Sequence, residues 1–208
     1  MQTGQFYFIS DDFFLKFDPE KLLMGNKDGQ HRRPCFYAFR DRQLSYIYWC
    51  IPISSRTEKF EDIVRKKLQR QVDRGVQQPK CNTIRFGNVM GQRRAFLIQN
   101  MFPITEDYIS ALYIDRNTQK PVTVDSNTAK DIYLNAKNVL KLVMRGYRDL
   151  VFPDIMTMKQ QLSVEHEQQR NRSTERDELS MDSIMSKLNP VEKKQEQEHT
   201  RDEEDWSY

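Results

Sequence analysis

Two aromatic runs with a very short gap between them limit what this chain can fold into. Residues 35–40 and 45–53 are rich in Phe, Tyr, Trp and Ile, and Asp41-Arg42-Gln43 is the polar connection. Such composition favours extended backbone, and so short a break predicts a hairpin. Tyr46, Tyr48 and Trp49 crowd the second strand without clean alternation, which implies burial on both of its faces. The strand runs into Ile51-Pro52-Ile53-Ser54-Ser55-Arg56-Thr57-Glu58-Lys59, where a helix opens. Phe60, Ile63, Val64, Leu68 and Val72 then recur at helical spacing to about Arg74, ahead of Gly75.

Elsewhere short strands and turn signals alternate. Residues 6–9 read as a first strand. A short helix or turn capped by Ser10 or Asp11 follows, carrying Phe13, Phe14 and Phe17. Residues 19–33 hold Pro19, Gly25, Gly29 and many charges, a long loop of the kind that carries binding groups. Residues 82–86 and 94–98 predict a second hairpin, with Gly87 and Gly91 in its turn. Residues 108–114 form a strand or a helical turn leading into one, 115–120 a turn, and 121–124 an edge strand. Asp125 or Ser126 caps a second helix, striped by Ile132, Ala136, Val139, Leu140 and Val143 and stopped at Gly146. Residues 150–155 end the body as an apolar coda around Pro153. The fold class is α+β: a small, strongly curved antiparallel sheet or partly closed barrel with two main helices.

From about Leu162 onward Gln, Glu, Arg and Ser dominate. Such a composition buries too little apolar surface to offset its ordering entropy, so a disordered C-terminal tail over 161–208 is expected behind a domain of 1–160. Inside the tail, Met181, Ile184, Met185 and Leu188 lie at i, i+3, i+4 and i+7. They predict a short helix at 178–189, either a partner-docking element or a transient turn.

The net charge of +3 conceals a division. The tail has seven Lys/Arg against thirteen Asp/Glu, a charge of −6, and residues 1–160 carry 26 against 17, a charge of +9. A basic body points to a polyanionic partner, and the acidic tail to a competitor for the same surface. Cys35, Cys50 and Cys81 are odd in number and lie in apolar surroundings, as reduced core residues do. With no Cys-x-x-Cys pair and only His31 in the body, a zinc site is not expected, nor any cofactor. The N-terminus lacks the charged and apolar regions of a signal peptide, and no apolar run nears the ~18 residues of a membrane span. The expected location is the cytoplasm.

The junction at 51–59 offers two readings. Ser55-Arg56-Thr57-Glu58 fits a capping box, which requires no function. The same place presents two hydroxyls, a guanidinium, an ammonium and a helix N-terminus, which together suit a phosphate. The two readings can coexist. Lys59, Lys66 and Arg70 share a face of the helix, either as a solvated ridge or as a continuation of the site.

The order of motifs resembles that of the ToxN/AbiQ endoribonuclease toxins of type III toxin–antitoxin systems, with the CptIN-like branch most similar. Phe6-Tyr7-Phe8-Ile9-Ser10 resembles their opening Phe-Tyr-x-Ile-Ser. Pro52-Ile53-Ser54-Ser55 resembles their Pro-Leu-Thr-Ser, and residues 95–104 resemble their later apolar-Ile-Asn stretch closed by Pro-Ile. The resemblance spans roughly residues 5–155. It implies an SH3-like barrel of the MazF/PemK kind with added helices and metal-independent RNA cleavage inside the cell, in abortive infection. It also implies an antitoxin made of small structured RNA repeats that the toxin processes and binds, in a cyclic protein–RNA oligomer.

Carried over by position, Ser54 falls at the family's threonine and Ser55 at its serine. The family's basic residue falls at Thr57, flanked by Arg56 and Lys59. A second family lysine falls at Cys35, with Arg32 and Arg33 just before it, and a family tyrosine falls at Phe13, which has no hydroxyl.

Without a metal, the RNA's own 2′-hydroxyl attacks the adjacent phosphate, and the protein holds that geometry and stabilises the phosphorane. The candidate catalytic residues are Ser54, Ser55, Arg56 and Lys59. RNA-binding candidates are Tyr7, Arg32, Arg33, Arg40, Arg42, Lys66 and Arg70, with Tyr37 and Tyr46 available to stack bases or to fill the core. His31 reads as a solvent or RNA contact. The competing function is a non-catalytic nucleic-acid- or protein-binding module with a basic surface, in which Ser55 only caps a helix.

Overall fold

The computed structural model describes residues 1–18, 20–23 and 33–188, with the backbone alone at 177–180 and 182–188. The chain divides into two compact units, Met1–Ser163 and Val164–Tyr208. Among the described residues the first unit is built on one antiparallel sheet of seven strands. These are β1 (Phe6–Ile9), β2 (Pro34–Arg40), β3 (Tyr48–Ser54), β4 (Ile84–Val89), β5 (Gln92–Leu97), β6 (Phe102–Ile104) and β7 (Ile109–Leu112). The helices are α1 (Asp11–Phe17), α2 (Thr57–Asp73), α3 (Ser126–Met144) and α4 (Ile155–Leu188).

The sheet order is β4-β5-β3-β2-β1-β7, with β6 alongside β3. β4 and β7 lie at the two ends of that order and no pairing joins them among the described residues, so the sheet is open. β3 is the axis of the sheet. One of its edges pairs with β2 from Tyr48↔Arg40 to Pro52↔Cys35. Its other edge is shared, Tyr48 to Cys50 by β6 and Ile53-Ser54 by β5.

Every residue of β3 is buried, which explains its non-alternating sequence. Trp49, Ile51 and Ile53 join Phe6, Phe36 and Phe96 on the face covered by Ile132, Ala136, Val139 and Val143 of α3. Tyr48 and Cys50 join Tyr7, Cys35, Tyr37 and Phe102 on the opposite face, against Phe13 and Phe17 of α1 and Met158 and Leu162 of α4. Phe60 of α2 packs with Cys81, Ile84, Ala95 and Leu97. The three cysteines are free and buried, as their surroundings in the sequence suggest.

Several local expectations are revised. The β4–β5 turn is Met90-Gly91, with φ of 51° and 73°. Two successive left-handed residues make the tight hairpin whose twist suits the strands. Gly87 lies inside β4 rather than in the turn, opposite Arg94. Residues 121–124 make only isolated bridges, Ile114↔Pro121 and Gln5↔Thr123. The segment from Ile155 is helical and continues unbroken to Leu188, so the chain expected to be disordered from 161 onward is helical over that part. No Gly or Pro interrupts residues 155–188, and Gln, Glu, Arg, Lys and Met are good helix formers, so local propensity favours a helix without an apolar stripe. The short helix expected at 178–189 merges into α4. The rest of the tail and most of the 19–33 loop, including His31 and Arg32, lie outside the described residues. No helix of the described residues is long and apolar enough to cross a membrane.

Candidate functional site

Ser54 is the last residue of β3 and pairs with Ala95 of β5. The β2–β3 ladder pairs Cys35 with Pro52, so two residues further on its register sets Arg33 level with Ser54. Ser54 is 7% exposed, and its Oγ accepts the backbone N–H of Arg56 at 3.2 Å. This local bond folds the chain from strand into helix, an alternative to a strand ladder that short hydroxyl side chains readily offer.

The capping box read from Ser55-Arg56-Thr57-Glu58 is not formed. Arg56 occupies the cap position with φ −82° and ψ 59°, and no side chain caps the helix. The turn held by Ser54 moves the helix start one residue along and leaves Ser55 outside it. Ser55, Arg56 and Lys59 are exposed beside an uncapped first turn, whose N–H groups and dipole favour an anion.

Arg33 joins them. Burial pushes its guanidinium below its ordinary pKa, the Cys35 sulfur works the other way, and the positive charge of Arg56 lowers it further. The charge of Arg56 therefore reaches Arg33, as the smallest of these three influences, near one end of β3. Like charges brought together destabilise each other, and an anion between them relieves that repulsion. Arginine pairs of this kind suit phosphate, since each planar fork can donate two hydrogen bonds.

The remaining candidates are dispersed. Arg40 is at the far end of the same ladder, about 20 Å along β3 from Ser54 by strand rise. There its Nη2 donates to the Tyr48 hydroxyl at 2.9 Å, and its guanidinium stands 5.3 Å over the Tyr48 ring. Arg42 is exposed in the loop after β2. Lys66 and Arg70 are exposed further along α2, about 10 and 16 Å from Lys59 by helical rise.

Tyr7 is a core residue. Its hydroxyl donates to Gln5 Oε1 at 2.9 Å and accepts the Gln2 N–H at 2.8 Å, with its ring against Tyr37. Tyr37 is buried too, and the half-buried Tyr46 has its hydroxyl 2.9 Å from Ser163 Oγ. None of the three is a free stacking platform.

One charged group absent from the sequence reading is Lys67, whose Nζ donates to Thr83 Oγ1 and Gln99 Oε1, both at 2.9 Å. Burial pushes it below the ordinary lysine range. Its place within the Ile63, Val64 and Leu68 stripe was the available signal. It ties α2 to the segments just before β4 and just after β5, about 15 Å down the helix from Thr57 and remote from the candidate phosphate site.

No protein-family model and no curated protein matches the sequence. Among solved structures, that of AbiQ, a lactococcal anti-phage endoribonuclease of a type III toxin–antitoxin system, superposes with a TM-score of 0.57 at 13% identity. The match covers 80% of this chain and 99% of that one. At that identity the likeness is one of fold.

Proposed function

We propose that this chain is the toxin of a type III toxin–antitoxin system, a member of the ToxN/AbiQ family in its CptIN-like branch. It acts as a metal-independent endoribonuclease on cellular or phage RNA and is restrained by a structured antitoxin RNA in a cyclic protein–RNA oligomer. What supports this reading is the strand register that sets Arg33 level with Ser54, next to the exposed Ser55 and Arg56 at the end of β3, in a fold similar to that of AbiQ.

In this reading the ribose 2′-oxygen attacks the adjacent phosphorus and the bond from phosphorus to the 5′-oxygen breaks. The products are a 2′,3′-cyclic phosphate and a 5′-hydroxyl. The 2′-proton leaves to solvent and the departing oxygen takes one from solvent. Ser55 donates to a non-bridging oxygen, Arg56 and Arg33 balance the charge that builds on the phosphorane, and Lys59 adds a point charge. Ser54, buried and bonded to the Arg56 backbone, is a positioning residue.

The test is cleavage of RNA by the purified protein in the presence of a chelator. Ser55→Ala, Arg56→Ala and Arg33→Ala should each lower the rate by about 10²–10³, the usual loss for one oxyanion donor. Full activity in the Ser55→Ala and Arg56→Ala proteins would place the chemistry elsewhere. RNA bound but never cut would favour the non-catalytic module.

A further inference from the structure

The exposed side of α3 is a second basic surface. α3 gives its apolar stripe to the sheet face carrying Phe36, Trp49 and Phe96, whereas the ladder register puts Ser54 on the face of Cys50 and Pro52. The two surfaces therefore lie on opposite sides of the sheet.

From Tyr133 to Arg148 the chain has no acidic residue. Lys137, Lys141 and Arg145 follow at steps of four, about 6 Å each along the helix, with Lys130 before them and Arg148 after. That step is close to the spacing of successive phosphates along one nucleic-acid strand. Lys137 is held in place by ring contacts, its Nζ 4.6 Å over Tyr133 and 5.5 Å over Phe39. Nearby carboxylates are engaged or lie at the margins. Asp131 pairs with Arg85 at 3.1 Å, Asp154 is held by Thr157 and feels Arg148, and Asp149 follows the stripe.

A charged stripe alone is an ordinary solvated face. This one has Leu134, Met144, Tyr147 and Phe152 exposed along it or just beyond its end. A cluster of exposed large apolar residues points to a partner. Cations interleaved with aromatic rings match the chemistry of RNA, which offers a phosphate row and unpaired bases that stack.

We propose that the outer face of α3 is an RNA-docking surface separate from the Ser54-Ser55 site, gripping the phosphate backbone through Lys137, Lys141 and Arg145 and stacking a base on Tyr147. The assignment of RNA as the polyanion rests on the function proposed above, but its test requires no cleavage. In the full-length Ser55→Ala protein, in which any cleavage is slowed about a hundredfold or more, binding of a 20-nucleotide RNA is measured across a salt series. Adding Lys137→Gln, Lys141→Gln and Arg145→Gln should weaken binding at least tenfold near 0.15 M salt. It should also reduce the log–log salt slope by about 2–3, the counterions released at three phosphates. Tyr147→Ala should weaken binding of unpaired RNA several-fold with little change in slope.

Unchanged affinity and slope in the triple variant, with an unchanged melting temperature, would overturn the proposal. So would loss of binding to phosphatidylserine vesicles with RNA binding preserved, which would make the surface a membrane-docking one. If wild-type protein cuts no RNA yet the triple variant loses RNA binding, the surface stands and the cleavage reading falls.

Discussion

At Gly87 a side chain has no room. A Cβ there would lie 2.4 Å from Cγ2 of Thr128 and 3.3 Å from Cε2 of Phe96, where the first turn of α3 meets β4. Thr128 is pinned by its N–H bond to the Asp125 cap at 2.9 Å and is β-branched, so it yields poorly. Gly87→Ala should cost about 1–3 kcal/mol in a denaturant titration, as overpacking does. Ser55 is the opposite case. It is exposed and caps nothing, so Ser55→Ala should change stability by no more than about 0.5 kcal/mol, against about 1 kcal/mol for a lost cap. That difference separates a loss of chemistry from a loss of fold. Ser54, Ser55 and Arg56 could be read together as a candidate site because they adjoin in sequence. The placement of Arg33 level with Ser54 was not legible, because it depends on the register of a ladder closed across about twenty residues.

Between elements, one buried ion pair joins the β2–β3 loop to the start of α4. Asp41 Oδ2 accepts from Trp49 Nε1 at 3.0 Å and pairs with Lys159 Nζ at 2.9 Å, and its Oδ1 takes the N–H groups of Gln43 and Leu44. Burial alone would raise this carboxyl, but the hydrogen bonds from Lys159, Trp49 and the backbone outweigh it and hold it below the usual carboxylate range. Its folded pKa is thus below the unfolded value of about 3.9, so its stabilisation is complete above that pH and is lost as pH falls through the folded value. The wild-type urea midpoint should drop with acid below about pH 4, and Asp41→Asn should flatten that limb. Breaking the pair should cost about 3–5 kcal/mol at neutral pH, since the half-buried Lys159 ammonium keeps the Gln43 Oε1 at 3.4 Å but loses its carboxylate. A midpoint with the same acid limb in both proteins would show that the pair adds nothing. The stops of α2 and α3 at Gly75 and Gly146, φ 77° and 101°, were readable because glycine marks them locally. β6 was not, since three residues at Phe102–Ile104 become a strand only by pairing with β3. The start of α4 was marked by Ile155, Met158 and Leu162 at i, i+3 and i+7 and by the Asp154 cap on Thr157, but the polar composition beyond them obscured it.

For the whole molecule, the sheet with its helices ends inside α4. Leu162 is fully buried and Ser163 meets Tyr46, so a chain ending at Ser163 should keep the first unit's melting temperature within a few degrees, as well as its activity. A chain ending at Pro153 loses Ile155, Met158, Leu162 and the Lys159 pair, and should fail to fold. The division of charge follows the same boundary, since the acidic excess lies wholly beyond the first unit. What the sheet contributes to the proposed function is placement: β3, flanked by β2 and β5, brings Arg33 level with Ser54 at the end that carries Ser55 and Arg56. The measurement that bears most directly on this account is the chemistry of the cut. An RNA carrying a single cleavable position is incubated with the protein and chelator, with either ribose or 2′-deoxyribose at that position, and the ends are analysed. The account expects 2′,3′-cyclic phosphate and 5′-hydroxyl ends on the ribose substrate and no cut on the deoxy substrate. Cleavage of the deoxy substrate, or 5′-phosphate ends, would contradict it.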